Sequence, residues 1–278
     1  KLLVPLLAKL GNLVIDGGIW LSTQRPEWSD ANNALVGHGL SMVTLYYMRR
    51  YVHFLQELLA GEQGSVELSA EVDDWLADTS AALADIQPLL GQERLSPDQR
   101  WRSMQELGLA ASRYRQSVYR DHPFSGKADW PLARVTELLQ AALAAIDHCI
   151  RNNRREDGTY NAYNLLELKA DEAGIEPTYL MLEGQVAALS SGAIAPQAAA
   201  ALVEKLFDSD IYRADQRSFM LYPDPQLPGF LEKNRIPAGA VEAVVLLRRR
   251  IAASDDRIVA RDADGRYRLT AHVQRYYQ

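Results

Sequence analysis

Leu40-Ser41-Met42-Val43-Thr44-Leu45-Tyr46-Tyr47-Met48 is the stretch whose reading decides the fold class. Its apolar residues Leu40, Met42, Val43, Leu45, Tyr46, Tyr47 and Met48 fall almost all round a helical wheel. A helix built from them is therefore buried on several sides. The pattern predicts a long helix over about 33–59, placed as an inner helix of a helical ring or bundle. Working outward, Leu68, Val72, Trp75, Leu76, Thr79, Leu83 and Ile86 recur at spacings of three and four. They predict a second helix with a single inward face. Ser96-Pro97-Asp98-Gln99 is a helix start: serine caps, proline sits where its missing N–H costs nothing, and glutamine completes a capping box. The helix it opens is expected to run to about Tyr119.

His122-Pro123-Phe124-Ser125-Gly126 then breaks the chain, and Trp130-Pro131 opens another helix to about Ile150. A mixed segment follows over 160–173, then helices near 178–189, 196–207 and 238–252. Between the last two, 218–234 is rich in proline and glycine. Asp262-Ala263-Asp264-Gly265 reads as a turn between Ile258-Val259 and Tyr267-Arg268-Leu269, which predicts a small β ribbon near the C-terminus. The class is mostly α, with few strands and no βαβ rhythm. Residues 1–278 read as one helical domain, and both ends read as cut from a longer polypeptide.

Composition narrows the function. The 278 residues are 47% apolar and 24% charged, with a formal charge of −6, which is ordinary for a globular protein. Without a basic stripe the chain cannot neutralise a phosphate backbone, so nucleic acid is excluded as an expected partner. No apolar run is long enough to span a bilayer, so no membrane partner is expected and the location reads as cytoplasmic. Cys149 is the single cysteine and reads as a small buried hydrophobe. His38, His53, His122, His148 and His272 are isolated, and no metal or bound cofactor is expected. There is no nucleophile elbow, P-loop or dinucleotide fingerprint.

Between Asp16 and Gly37 the sequence stops reading as packing. Asp16-Gly17-Gly18-Ile19-Trp20-Leu21-Ser22-Thr23 is followed by Gln24-Arg25-Pro26-Glu27-Trp28-Ser29-Asp30-Ala31-Asn32-Asn33. Carboxylates and amides hydrogen-bond sugar hydroxyls, and an indole face covers the apolar face of a pyranose. Glu27 and Asp30, three residues apart, share a side if they begin a helix, and each raises the pKa of the other. A raised carboxyl pKa suits a general acid at neutral pH. The plain alternative is that Ser29 or Asp30 caps the helix, Glu27 is a solvated charge and Trp28 plugs the core.

The stretch Pro26-Glu27-Trp28-Ser29-Asp30-Ala31-Asn32-Asn33, followed by Val36-Gly37, resembles the acid-bearing motif G-D-W-N-D-G-x-N of the cellobiose and chitobiose phosphorylase family. Trp28, Asp30 and Asn33 match in register. The chain departs at both glycines, at the first aspartate, which is Glu27, and by one residue inserted before Val36-Gly37. Looser, collinear likeness covers Gln185 to Pro196 and Leu221-Tyr222-Pro223-Asp224. The resemblance implies an incomplete (α/α)6 toroid that cleaves a disaccharide or oligosaccharide by phosphorolysis. In such an enzyme an acid protonates the bridging oxygen while inorganic phosphate, a co-substrate, attacks the anomeric carbon with inversion. The flanking regions missing from this chain are then its partners.

On this reading Glu27 is the proton donor and Asp30 tunes or replaces it. Trp20 and Trp28 shape the sugar subsite, Asn32 and Asn33 orient the loop, and Arg25 lies within it. Tyr160 and Asn161, in the polar stretch from Arg154 to Asn164, and Tyr222, in the proline-rich loop, are further substrate contacts. Lys233 and Arg235 are candidates to hold phosphate. One alternative is an inverting hydrolase on the same toroid, which needs a second carboxylate roughly 6.5–9.5 Å from the first to activate water. Asp16, Glu156, Asp157, Glu167 and Glu232 are its candidates. Another is a non-catalytic helical module that binds carbohydrate or serves as a scaffold.

Overall fold

The computed structural model describes residues 1–22, 35–120 and 124–270. Where the sequence reads as one domain, the contacts divide the chain into two units, Lys1–Asp224 and Pro225–Gln278. The first begins with α1 (Leu3–Leu10), β1 (Leu13–Val14), β2 (Gly18–Trp20), β3 (Gly39–Ser41) and α2 (Met42–Leu58). There follow β4 (Ser65–Ser69), α3 (Ala70–Ile86), α4 (Pro97–Arg120), β5 (Lys127–Pro131) and α5 (Leu132–Asn152). It ends with β6 (Tyr163–Lys169), β7 (Glu172–Pro177), α6 (Leu182–Ser190), α7 (Pro196–Phe207), β8 (Tyr212–Arg213) and β9 (Ser218–Phe219).

The main core lies among helices α1 to α6. Leu45, Tyr46, Val52 and Leu55 of α2 meet Leu139, Ala142, Ile146 and Cys149 of α5 within it. The ring of Trp75 on α3 stacks on Tyr114 of α4 with centroids 4.2 Å apart. Such a contact adds about 0.5–1.5 kcal/mol beyond the area it buries. Polar ties lock the same helices. Arg49 of α2 donates from Nε to Asp147 Oδ1 of α5 at 2.6 Å and from Nη1 to the Ser191 carbonyl at 2.9 Å. At the head of α4 the capping box is reciprocal: Gln99 N–H donates to Ser96 Oγ, and Ser96 N–H donates to Gln99 Oε1.

The long α2 pattern begins later than its sequence predicts. Residues 39–41 are a strand, buried throughout, and α2 starts at Met42, where Ser41 Oγ accepts from Thr44 N–H. Apolar residues all round a wheel here mark a strand with both faces covered, running directly into a helix that buries one face and leaves Tyr47, Phe54 and Leu58 exposed. Periodicity cannot separate those two cases. The strand belongs to a five-stranded antiparallel sheet of order β1-β2-β3-β6-β7, with Trp20 opposite Leu40 and Leu40 opposite Asn164. The hairpin β6–β7 was hidden in sequence because its burial does not alternate. Its inner half is buried and its outer half projects into solvent.

One face of the sheet, carrying Trp20, Leu40 and Leu166, packs on Trp101 and Met104 of α4. On the opposite face Tyr163 and Leu165 gather with Leu21, Leu35, Val43, Ala162 and Met181. A Cβ on Gly184 of α6 would lie 2.8 Å from the backbone of Ala162, so only glycine lets α6 come down on that face.

The second unit holds α8 (Phe230–Lys233), α9 (Ala238–Ala243), α10 (Val245–Ala252), β10 (Val259–Arg261) and β11 (Tyr267–Leu269). The two strands pair antiparallel around the Asp262–Gly265 turn. The helix expected over 238–252 is two pieces, because Val244 takes an extended ψ of 107°. Asn234 stands in for a strand: its amide donates to the Leu269 carbonyl at 2.7 Å and accepts from Leu269 N–H at 2.9 Å.

Cys149 is fully buried and accepts a hydrogen bond from Asp16 N–H at 3.3 Å. Burial, together with the neighbouring Asp16 charge, pushes its thiol up to about 12. The native protein is therefore expected to give no reaction with a thiol reagent at pH 8, and one equivalent once unfolded in guanidinium. Rapid native labelling would contradict this burial.

Candidate active site

Leu21 N–H donates to the Gly39 carbonyl at 2.8 Å, and Gly37 N–H donates to the Leu21 carbonyl at 3.0 Å. Leu21 and Leu35 also pack in one cluster. The chain that leaves at Ser22 thus returns beside its point of departure. Arg25, Glu27, Trp28, Asp30, Asn32 and Asn33 lie between these two points, outside the described residues. What the structure describes is the footing on either side of that segment.

That footing is a buried polar hub centred on Asp16. The turn between β1 and β2 puts Asp16 in the left-handed region, at φ 68°, which aspartate tolerates better than most residues. Its carboxylate accepts from Leu95 N–H at 2.9 Å, Arg100 Nη2 at 3.1 Å, His148 Nε2 at 2.9 Å and Asn152 Nδ2 at 2.6 Å. Burial pushes the Asp16 carboxyl up, but the bonds from His148, Asn152, Leu95 N–H and Arg100 outweigh it and hold the group at about 2.

Arg100 gives three further donors to the carbonyls of Ile15, Ala173 and Leu95. Asn153 donates to the Asp16 carbonyl, and Asn164 to the Gly17 carbonyl. Beside them a Cβ on Gly18, at φ 116°, would lie 2.9 Å from the Ser41 backbone. The hub therefore fastens the root of β2 to α4, α5 and β6. Nothing in the sequence marks the partners Arg100, His148 and Asn152, which lie 84, 132 and 136 residues from Asp16.

Asp16 is accordingly removed as a water-activating base. Its side chain is wholly buried and its lone pairs are taken. Asp157 accepts from Thr159 N–H and Oγ1 in a local turn, Glu167 pairs with Lys169 at 2.9 Å on the exposed part of β6, and Glu232 accepts from Gly229 N–H at the start of α8. Glu156 is exposed.

The sequence candidates outside the loop fall into different places. Trp20 is half-buried on the α4 side of the sheet and donates from Nε1 to the Gly37 carbonyl at 3.0 Å, so it braces the returning strand. Tyr160 is buried with its ring edge-on to Tyr46 at 6.3 Å. Asn161 gives its amide to Asn153 Oδ1 and accepts from Arg155 Nη1. Both are committed to the interior. Tyr222 is about half exposed. Lys233 and Arg235 belong to the second unit, where Arg235, Arg266 and Arg268 line a cavity of about 280 Å³ with Glu232, Asp262 and Tyr267.

A carboxylate that sequence reasoning passed over stands nearer the loop's footing. Glu183, in the first turn of α6, accepts from Tyr163 Oη at 3.1 Å. Tyr163 packs with Leu21 and Leu35, and burial followed by the Glu183 charge pushes its phenol above its ordinary range. Met-Leu-Glu at 181–183 reads in sequence as an ordinary helix start, so no signal could have found it.

Residues 227–276 match a family model described as GH149 phosphorylase insertion domain 2. A search of the curated proteins returned no match. The match places a segment similar to a glycoside phosphorylase insertion domain in the same chain as the Glu27–Asp30 motif. It supports a glycoside phosphorylase family and carbohydrate metabolism, and it does not extend to the cellobiose and chitobiose phosphorylases or to their toroid. Among the described residues no helix is long and apolar enough to cross a membrane.

Proposed function

We propose that this chain is part of a carbohydrate-active enzyme that cleaves a glycosidic bond by general acid catalysis, with inorganic phosphate as the preferred acceptor. The observation that carries the reading is the match of residues 227–276 to a phosphorylase insertion domain. It is supported by the Glu27-Trp28-Ser29-Asp30 stretch, reached by sequence alone.

Glu27, protonated, gives its proton to the bridging oxygen as the bond to the anomeric carbon breaks. A phosphate oxygen forms the new bond from the opposite face, so the products are a sugar 1-phosphate of inverted configuration and a shortened sugar. Phosphate is already an anion and needs no protein base, which fits an Asp16 that is saturated and buried. Asp30 tunes the acid, Trp28 covers the sugar, and Asn32, Asn33 and Arg25 hold the loop and its ligand. The hub around Asp16 fixes the root of β2, from which the chain runs on towards Glu27.

The test is the phosphate dependence of sugar 1-phosphate release from disaccharides and short oligosaccharides by the full-length protein. Release is expected to rise with phosphate and saturate. Equal cleavage without phosphate, yielding free sugar, would move the assignment to an inverting hydrolase. Binding of oligosaccharide with no turnover would move it to a non-catalytic module.

A further inference from the structure

Tyr179 is 56% exposed and Tyr222 47% exposed, yet their rings meet, with centroids 6.0 Å apart and planes at 65°. Each is held by its neighbours. Thr178 donates from N–H and from Oγ1, the latter at 2.8 Å, to the Tyr163 carbonyl, which fixes Tyr179 to the end of β7. The Leu221 carbonyl accepts from Leu182 N–H at 2.8 Å, which fixes Tyr222 to the start of α6. The two segments are thus tied to Tyr163 and α6, and Tyr163 and Met181 pack with Leu21 and Leu35 at the foot of the candidate acid loop. Two adjacent aromatic rings on fixed backbone, left in water, forgo burial that folding normally takes.

We propose that Tyr179 and Tyr222 form a distal sugar subsite, a platform for the part of an oligosaccharide that extends away from the bond being cleaved. The inference rests on the phosphorolytic reading for its location. The surface chemistry selects the ligand class. A pyranose chain offers apolar C–H faces rimmed by hydroxyls, and a tyrosine pair offers ring faces with hydroxyl tips. Glu183, which accepts from Tyr163 Oη, follows Leu182, the residue tied to the Leu221 carbonyl, and is the proposed acceptor for those hydroxyls. Thr178 and Asp224 flank the rings with polar groups, as a sugar site requires, while half-exposed Leu221 beside Tyr222 extends the apolar face, so a protein contact is an outcome of the test.

The experiment compares a disaccharide with a pentasaccharide in the wild-type full-length protein and in Tyr179→Ala, Tyr222→Ala and Tyr179→Phe. KM for the pentasaccharide is expected to rise about three- to tenfold in each alanine variant. In Tyr179→Ala the disaccharide KM and both kcat values stay unchanged, and Tyr179→Phe behaves as wild type. Equal effects on both substrates, or none on either, would overturn the platform. Should the wild type show no phosphate-dependent turnover, the phosphorolytic reading fails and the platform is judged by calorimetry. Pentasaccharide binding lost in the double alanine variant then sustains it. Self-association of the wild type, abolished in that variant, makes the rings a protein contact and overturns it.

Discussion

Glu27→Gln is expected to lower phosphorolytic kcat by about 10²–10⁴-fold, the usual contribution of a positioned general acid. Glutamine keeps the shape and hydrogen-bonding reach of the side chain and removes only the transferable proton, so KM should change little. The signature is the leaving group. A glycosyl fluoride needs no protonation to depart, and the variant should use it at close to the wild-type rate. Steady-state kinetics with both substrates measure this directly. If instead Asp30→Asn collapses the rate while Glu27→Gln leaves it intact, the acid is Asp30. If neither matters, the motif is structural and the enzymatic reading falls.

The second large effect is on stability. Asp16→Ala leaves Arg100 buried without its counter-charge and strips an acceptor from Leu95 N–H, His148 and Asn152. Breaking such a buried pair costs about 3–5 kcal/mol, a large share of a typical total of roughly 5–15 kcal/mol. Urea unfolding at pH 7, followed by circular dichroism, is the measurement, and a loss below about 1 kcal/mol would show the hub to be dispensable. The same group imposes a pH dependence. In the folded protein Asp16 titrates at about 2, below its ordinary 3.8. Its contribution is complete above about pH 4 and fades as acid carries the pH down towards 2. Integrated over that window it is on the order of 2 kcal/mol. Asp16→Asn removes the same charge and turns an NH2 towards two donors, so it is expected to lose stability at pH 7 as well and to show a shallower further loss between pH 4 and 2 than the wild type.

The helices were legible because their signals are local. The Ser96-Pro97-Asp98-Gln99 start, the stripe from Val72 to Ile86 and the proline at the head of α7 each act within a turn or two, and the helices lie where those signals put them. The Asp262–Gly265 turn reads the same way, since Asp262 Oδ1 accepts from the nearby N–H groups of Asp264 and Arg266. The five-stranded sheet was not legible. Its segments β1, β2 and β3 are two or three residues long, too short for any period, and β3 pairs with β6 more than a hundred residues away. The split at Val244 was equally silent, because an Ala-, Val- and Leu-rich run continues across it.

The candidate site divides along the same line. Residue types alone made 26–33 stand out, since acids, amides and an indole crowd together there; the segment lies outside the described residues. Tyr160 and Asn161 drew the same reading, yet folding turned both inward, where Tyr46 and Asn153 engage them. Tyr179, Tyr163 and Glu183 carried no sequence signal: Tyr163 meets Glu183 only because β6 and α6 adjoin, and Tyr179 meets Tyr222 only in the folded chain.

Sequence by itself determined where most of the helices lie, where the chain turns and which residues, 26–33, are proposed to carry chemistry, because propensity, capping and composition are written within a few neighbouring residues. Tertiary structure alone decided that Asp16 is a sealed ion-pair hub rather than a base, and that Tyr179 and Tyr222 stand together in solvent. Those outcomes depend on which distant donors and surfaces arrive at the same point, and burial, electrostatics and exposure are properties of that arrangement.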